Sequence, residues 1–600
     1  MLPPLFLNLS SLMNYIDLRK IIPAKFDAGF LKKPYAYQKL VLFLLNKIML
    51  VDRINELLVR HNHLSPKHFI DEVFEELGFS SLISHTDLNR IPCEGKVICV
   101  ANHPTGALDS LALLRAILHV RRDVKIVTND LLMCFENLNE HFLPYNIYDK
   151  SVQKENIKLI SEWLDKDHAL IIFPAGTVSR LNWFRITDSK WRRGAVHFAK
   201  KHNSSILPIW IQARNSILFY AVSVLSKKLS MLLFSYELFN KKNKSLRIRI
   251  GNLIPAKVFS SSFINETYQT KILRKHAERV GKNKKIIFLT EKNVSSPTDA
   301  RVIKKELNNT NLLGTTHNGM RIYLTNQQES PHCITEIARL RELTFRKVDE
   351  GTGKRLDMDK FDSHYSHIIV WNELDLDIVG AYRIVNGANI PNGLGKNGFY
   401  TSTLFHFTDE FKSNYLPWSV ELGRSFVQQK YWNTNALSYL WQGIGAYLYK
   451  FPEVKFLFGG VSISSNYSRL AQELLIFYFN KWYGGNSGLA FSKQPFTISE
   501  TKKAEYQTIF NSQNQKEDYR KLKEYLKTLG NSVPILYKHY TELCEKDGVS
   551  FLDFGYDPDF NNCVDGLILV DVKKIKREKI EKFVAAGSFS TMPETIKTTV

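Results

Sequence analysis

Apolar residues recur at three- and four-residue spacing through FIDEVFEELGF (69–79), and no alternating stretch precedes it, so residues 1–80 are expected to form a helical N-terminal extension. From residue 81 to 290 the pattern changes. Short apolar runs (VICVA, VKIVT, ALIIF, ILPIWI, LRIRIGNLI) alternate with amphipathic stretches such as NIKLISEWLDK and WRRGAVHFAKKH, the signature of an α/β domain. Residues 291–325 turn to Asn, Thr, Ser, Gly and Lys and read as a linker. A second folded region spans 326–583. In it HIIVWNELDLDIVGAYRIV predicts a hairpin, NALSYLWQGIGAYLYKF a buried helix, and FLFGGVSIS and VDGLILVDV strands ahead of a basic helix, KKIKREKIEKF. Residues 584–600 read as a disordered tail, and no internal repeat is present.

Six hundred residues exceed one core and imply two domains or more. A formal net charge of +22 calls for an anionic partner: nucleic acid, anionic lipid or an acidic carrier protein. Cys93, Cys99, Cys134, Cys333, Cys544 and Cys563 show neither a CxxC nor metal-ligand spacing, which argues against a disulfide framework and a zinc site and for a reducing compartment. No secretory leader is read at the N-terminus, and no window of 18 uncharged apolar residues suits a spanning helix. Two stretches, 39–51 and 216–239, come near the membrane class. They read either as buried core helices or as peripheral insertion into a bilayer surface, and the basic runs KKNKSLRIR and GKNKK that follow the second favour an anionic one.

The chemistry-bearing segments are NHPTGALD (102–109) and FPAGTVSR (173–180), each a Gly-containing turn after a strand-like run. Acyl transfer to a hydroxyl needs a base, a group that orients it, and donors for the oxyanion. His103 is the candidate base and Asp109 its orienting carboxylate, provided Pro104 and Gly106 fold the loop back; alone, the pair also fits an ordinary loop histidine with a helix-capping Asp. In this order the two segments resemble the lysophospholipid (glycerolipid) acyltransferases. That resemblance covers about 80–260 and implies an α/β fold, with Asn102, Thr105, Gly106, Gly176, Thr177, Ser179 and Arg180 as substrate contacts. Two departures stand out: five residues separate His103 from Asp109 where the family has four, and Ala175 replaces the family's Glu. An acceptor other than glycerol phosphate is implied. With WRRGA (191–195) and ARNS (213–216), the segment looks closer to O-acyltransferases that esterify the 3-hydroxyl of an N-acylated amino acid.

Four segments of the second region, LRELTF (340–345), KFDSHYSHIIV (360–370), IVGAYRIV (378–385) and VELGRSFV (420–427), resemble in order the GNAT-like N-acyltransferases of ornithine lipid biosynthesis, distantly similar to acyl-homoserine lactone synthases. Attack of an amine on a thioester needs a proton acceptor and donors at the carbonyl. Glu421 is the candidate base, Arg341, Arg383 and Arg424 the candidates for carboxylate or phosphopantetheine contacts, and Asp362 for placing the amine. His364 and His367 form an HxxH, but in a strand they point to opposite faces, so no metal site is expected. Both resemblances on one chain imply a bifunctional ornithine lipid synthase of two α/β domains, the first acyltransferase-like and the second GNAT-like. The second domain would N-acylate the amino acid with a 3-hydroxyacyl group from acyl carrier protein, and the first would O-acylate the lyso-lipid. Glycine, serine and lysine remain alternatives to ornithine, as does a lysophosphatidic acid acyltransferase with an accessory C-terminal domain. The resemblance implies acyl carrier protein and an anionic membrane surface as partners, no nucleic acid, no bound cofactor, and a peripheral place on the cytoplasmic face of a bacterial inner membrane.

Overall fold

The computed structural model describes residues 16–19, 22, 29–61, 63–128, 136–144, 150–182, 185–260, 264–390, 393–486 and 488–584. The chain divides into two compact units, 1–293 and 294–600. In the first, a seven-stranded sheet runs in the spatial order Ser80–Leu82, Ser245–Ile250, Ser205–Gln212, Val97–Ala101, Ala169–Ile172, Val124–Thr128, Phe142–Pro144. Every neighbouring pair is parallel except Ser205–Gln212 with Ser245–Ile250. Val97–Ala101 lies at the centre and is buried along its whole length, because helices cover both faces of the sheet and each residue is apolar. The residues that follow it therefore emerge at the carboxyl edge, where loops of such sheets collect.

The helices Val51–His61 and Pro66–Glu76 correct the expectation of an N-terminal extension. Their apolar stripe (Ile54, Leu57, Phe69, Val73) packs in one core with Val97, Leu113 and Ile171, so they complete the domain. Tyr35–Met49 behaves differently: no residue of it is buried, and Leu40, Phe43, Leu44 and Ile48 are exposed. Helices Ile217–Leu225 and Lys227–Leu232 are also apolar and outward-facing, with Ile217 88% and Leu225 85% exposed. Among the described residues no helix is long and apolar enough to cross a membrane.

The expected linker is also corrected. Within 291–325 the chain forms a helix, Ala300–Leu307, and two strands, Asn311–Thr315 and Arg321–Asn326, joined by a turn with Gly319 at φ 83°. Composition misled because the helix needs only Ile303 and Leu307 inside, both buried, and the hairpin is an edge of its sheet. That eight-stranded sheet runs Asn311–Thr315, Arg321–Asn326, Ser366–Asn372, Asp377–Asn386, Ser419–Val427, Phe456–Ile463, Cys563–Asp571, Val549–Asp557. All pairs are antiparallel save Ser419–Val427 with Phe456–Ile463. Helix Ala436–Lys450 carries the chain between these two parallel strands. The tail expected at 584–600 falls, beyond Val584, outside the described residues, as does Cys134.

Candidate active sites

Val97–Ala101 and Ala169–Ile172 are paired and parallel, so the loops that follow them meet at one edge. Gly106, at φ 98° and ψ −98°, takes a backbone conformation closed to side chains and turns the first loop into helix Ala107–Leu118. Asp109 then sits in the helix's first turn, fully buried. Its Oδ2 accepts from the Thr105 N–H at 2.8 Å and its Oδ1 from the Ser110 N–H at 2.8 Å. Its Oδ2 also lies 3.3 Å from His103 Nδ1. The extra residue in the loop is thus accommodated, and the expected juxtaposition of His103 and Asp109 is formed. The pair leaves Nε2 of a partly exposed imidazole for an acceptor hydroxyl. Burial alone would lower the His103 pKa, but the carboxylates of Asp109 and Asp188 outweigh it and the pKa is raised.

The second loop is tied to the first. Ser179 N–H donates to His103 O at 2.8 Å, Gly176 (φ 65°) N–H to Phe173 O at 3.0 Å, and the Phe173 ring lies 4.3 Å from the imidazole. A residue that sequence reasoning missed joins them. Asp188 Oδ1 accepts from the Ser179 hydroxyl and, at 3.4 Å, from the His103 N–H, while its Oδ2 accepts from Trp191 Nε1 at 2.9 Å. Its neighbours in sequence form no motif, so only the three-dimensional fold reveals it. Ala175 is buried in the core on that side of the sheet, and Thr177 faces Ser189 at 3.2 Å between the hydroxyls. Arg180 Nη1 donates to Ser230 Oγ at 2.7 Å. Asn102 was expected among the substrate contacts. Its buried amide instead donates to Ile211 O at 2.9 Å and accepts from Ile211 N–H at 2.7 Å, stitching the loop to the next strand. An apolar slot, lined among others by Ile54, Phe69, Ala107, Leu111, Leu114 and Leu238, lies along the helix that carries Asp109.

In the second unit the parallel ladder holds only from Ser419↔Phe456 to Glu421↔Phe458. Beyond it the two strands are no longer paired with each other. Two residues of Ser419–Val427, Arg424 and Ser425, oppose one of Asp377–Asn386, a bulge in which Arg424 stands at φ 47°. Parted parallel strands present unpaired backbone groups, a setting suited to the amide-bearing arm of an acyl thioester. Gly459 permits the approach at the fork, since a Cβ there would meet Leu422 O at 2.1 Å.

Arg341, Asp362, Arg383 and Arg424 are brought together as expected, joined by Asp357 and Asp359, which sequence reasoning missed. Asp362 takes Arg341 Nη1 and Nη2 at 3.1 Å and lies 3.3 Å from Arg383 Nη1. Asp359 accepts from Arg383 Nη1 at 2.7 Å. Burial would raise the Asp362 pKa, yet Arg341, a hydrogen bond from His367, and Arg383 hold it far below the carboxylate range. Arg341, Arg383 and Asp362, expected at the substrate, are all buried, and both guanidinium groups are paired with Asp362. Glu421, the expected base, is buried and accepts from the Tyr365 hydroxyl, Tyr400 N–H at 3.0 Å and Thr401 N–H at 2.8 Å, which ties it to the turn Tyr400–Thr403. His364 Nε2–H donates to Gly398 O at 2.9 Å while His367 faces Asp362, so the HxxH is split between two environments.

Arg424, with its side chain only 8% exposed, bridges toward a second acidic group. Its Nη2 lies 3.4 Å from the Tyr400 hydroxyl, which donates to Asp557 Oδ2 at 2.6 Å. Asp565, opposite Ser462 in register, sits with its Oδ2 3.1 Å from the position of a Cβ at Gly460, on the strand that has parted. Burial and the neighbouring Asp557 push the Asp565 carboxyl up to about 6, and burial raises Asp557 as well.

A parallel α/β sheet with a His–Asp pair at its carboxyl edge, and a mixed sheet forked at a bulged strand, define a two-centre acyltransferase. Family models agree: residues 32–283 match "Acyltransferase" and 340–442 match "Acetyltransferase (GNAT) domain". Over 307 residues (48% of this chain, 93% of the relative) the chain is 33% identical to the glycine N(alpha)-acyltransferase of Phocaeicola vulgatus. Over 255 residues (41% and 88%) it is 28% identical to the lyso-glycine lipid O-acyltransferase of the same organism. The L-ornithine N(alpha)-acyltransferase of Agrobacterium fabrum matches at 30% over 114 residues, 18% of this chain and 38% of that protein. The chain belongs to the family of that N-acyltransferase of Phocaeicola vulgatus, and it joins an acyltransferase domain and a GNAT domain in one polypeptide.

Proposed function

We propose that the chain builds an acyloxyacyl glycine lipid. The second unit transfers a 3-hydroxyacyl group from acyl carrier protein to the glycine amine, and the first unit then acylates the 3-hydroxyl from a second acyl thioester. The observation that carries this reading is the presence on one chain of a His103–Asp109 pair and a forked GNAT sheet. Glycine is preferred to ornithine because the similarity to a glycine N-acyltransferase spans nearly that whole protein, whereas the ornithine match spans 38% of its counterpart.

In the first reaction the Asp557–Asp565 pair receives the proton that the attacking ammonium must lose, with Arg424 as the cation beside it. In the second, His103 takes the 3-hydroxyl proton as the oxygen attacks the thioester carbonyl, the thiol leaves, and Asp109 stabilises the imidazolium. The acyl chain lies in the apolar slot. The exposed apolar residues of Tyr35–Met49 and Ile217–Leu232, with the +22 charge, support docking on an anionic bilayer, at the cytoplasmic face of the inner membrane, and an acidic carrier as donor. Expression in a host without aminolipids, followed by lipid mass spectrometry, tests the reading. A phosphorus-free lipid with a glycine fragment is the expected product; unchanged aminolipids with altered phosphatidic acid would refute it.

A further inference from the structure

Beside Thr105 and Leu108, a cavity of about 220 Å³ opens against the end of strand Ser205–Gln212 and the start of Ser245–Ile250. Three cationic side chains line it, Arg214, Lys241 and Lys244, and no carboxylate does. Lys241 is anchored by Glu237, whose Oε2 it reaches at 3.2 Å and which also holds the Ser216 N–H at 2.9 Å. Arg214 is exposed and has no carboxylate partner among the described residues. Two further lining residues, Thr105 and Asn215, are 6% and 7% exposed, and each leaves a buried oxygen, Thr105 Oγ1 and Asn215 Oδ1, without a hydrogen-bond partner. A hydroxyl so placed can donate to an anion that enters beside it.

We propose that this cavity binds the carboxylate of the acceptor's amino-acid head group, with Arg214 as the principal cation and the Thr105 hydroxyl as a donor. The inference rests on the O-acyl transfer proposed above and specifies how its acceptor is recognised. The placement suits the chemistry. Thr105 lines the cavity and holds Asp109 with its N–H, so the anion site adjoins the loop that carries the base. In an N-(3-hydroxyacyl) amino acid the reacting hydroxyl carbon and the carboxyl carbon are separated by five bonds, about 6 Å when extended. A carboxylate also meets a guanidinium in bidentate fashion, which a neutral head group does not. A site that depends on such a pair rejects the uncharged analogue strongly.

The test uses the purified full chain, an acyl carrier protein thioester as donor, and two acceptors, N-(3-hydroxyacyl)glycine and its carboxamide. The expected result is a kcat/KM for O-acyl transfer at least about 50-fold lower for the carboxamide. Arg214→Gln lowers kcat/KM for the carboxylate acceptor by a similar factor, mainly through KM, and leaves the carboxamide rate unchanged. Lys244→Gln gives a smaller effect of the same kind. Binding of both acceptors to the His103→Ala chain, measured by calorimetry, must show the same preference without turnover. Equal rates and affinities for the two acceptors, or an Arg214→Gln loss that is the same for both, would overturn the proposal. A rise in KM for the donor instead would assign the cavity to the carrier's phosphate and overturn it too. Absence of O-acyl transfer to either acceptor by the unmodified chain would instead be the failure of the underlying reading, and the calorimetric preference would still decide the cavity's ligand.

Discussion

Asp109→Asn removes one charge from the first centre and almost no volume. The carboxylate lies 3.3 Å from His103 Nδ1, a distance at which a unit pair in a medium of effective dielectric 20 interacts by about 5 kcal/mol. In the ground state the imidazole that acts as base is neutral, and it becomes cationic only as it takes the hydroxyl proton, so this attraction acts chiefly on the barrier. Part of it is already drawn off by the Thr105 and Ser110 N–H groups that the carboxylate serves. If about 3–4 kcal/mol remains, kcat for O-acyl transfer falls by about 10²–10³. The asparagine amide also turns a donor toward one of those two N–H groups, so thermal unfolding is followed in parallel. The assay is single-turnover acylation of isotope-labelled N-(3-hydroxyacyl)glycine read by mass spectrometry from pH 5 to 9, with N-acyl transfer measured on the same preparation. Because Asp109 raises the His103 pKa, the acid limb of the variant's profile should shift to lower pH while N-acyl transfer is unchanged and mono-acylated lipid accumulates. A variant with wild-type rate and an unmoved acid limb would refute the assignment of Asp109 as the partner of the base.

Asp188→Asn should lower O-acyl kcat by about tenfold with little change in KM, since it loosens the tie between the His103 and Ser179 loops without touching the imidazole's working nitrogen; steady-state kinetics decide it. Asp565→Asn should cut N-acyl transfer by about 10² and spare O-acyl transfer, and the wild-type N-acyl rate should rise with pH through about 6. Asp362→Ala leaves Arg341 and Arg383 buried with too little counter-charge and should destabilise the second unit by about 3–5 kcal/mol in urea unfolding at pH 7. Because the folded-state pKa of Asp362 is depressed, its contribution is complete above the unfolded value near 4 and is lost as pH falls further. The gap between wild type and variant should therefore narrow below about pH 4; a gap independent of pH would argue that lost packing, not charge, is responsible.

The alternation of apolar runs and amphipathic stretches made both α/β units legible, because a buried parallel strand and a surface helix each leave a local period in the chain. It failed at 300–326, where two buried residues per helix suffice and an edge hairpin can be rich in Asn and Thr. The two centres differ in how much of them a sequence can show. His103 and Asp109 lie on one turn, so six positions of sequence contain their geometry. In the second unit the charged side chains at 341, 362, 383 and 424 were visible as charges, but whether each meets a substrate or a partner depends on Asp357 and Asp359 from the adjoining loop, which no periodicity marks. Arg341 and Arg383 are compensated by Asp357, Asp359 and Asp362, whereas Arg424 lies 3.8–3.9 Å from two of these and also acts on Asp557 and Asp565. Asp557 and Asp565, the carboxylates proposed above to take the amine proton, lie outside that compensated cluster, and burial raises their pKa. Burial raises the Glu421 carboxyl as well. Three protein donors meet its carboxylate, and three meet that of Asp557, the Tyr400 hydroxyl and the Asp559 and Phe560 N–H groups, so the two differ in place along the fork and not in their supply of donors.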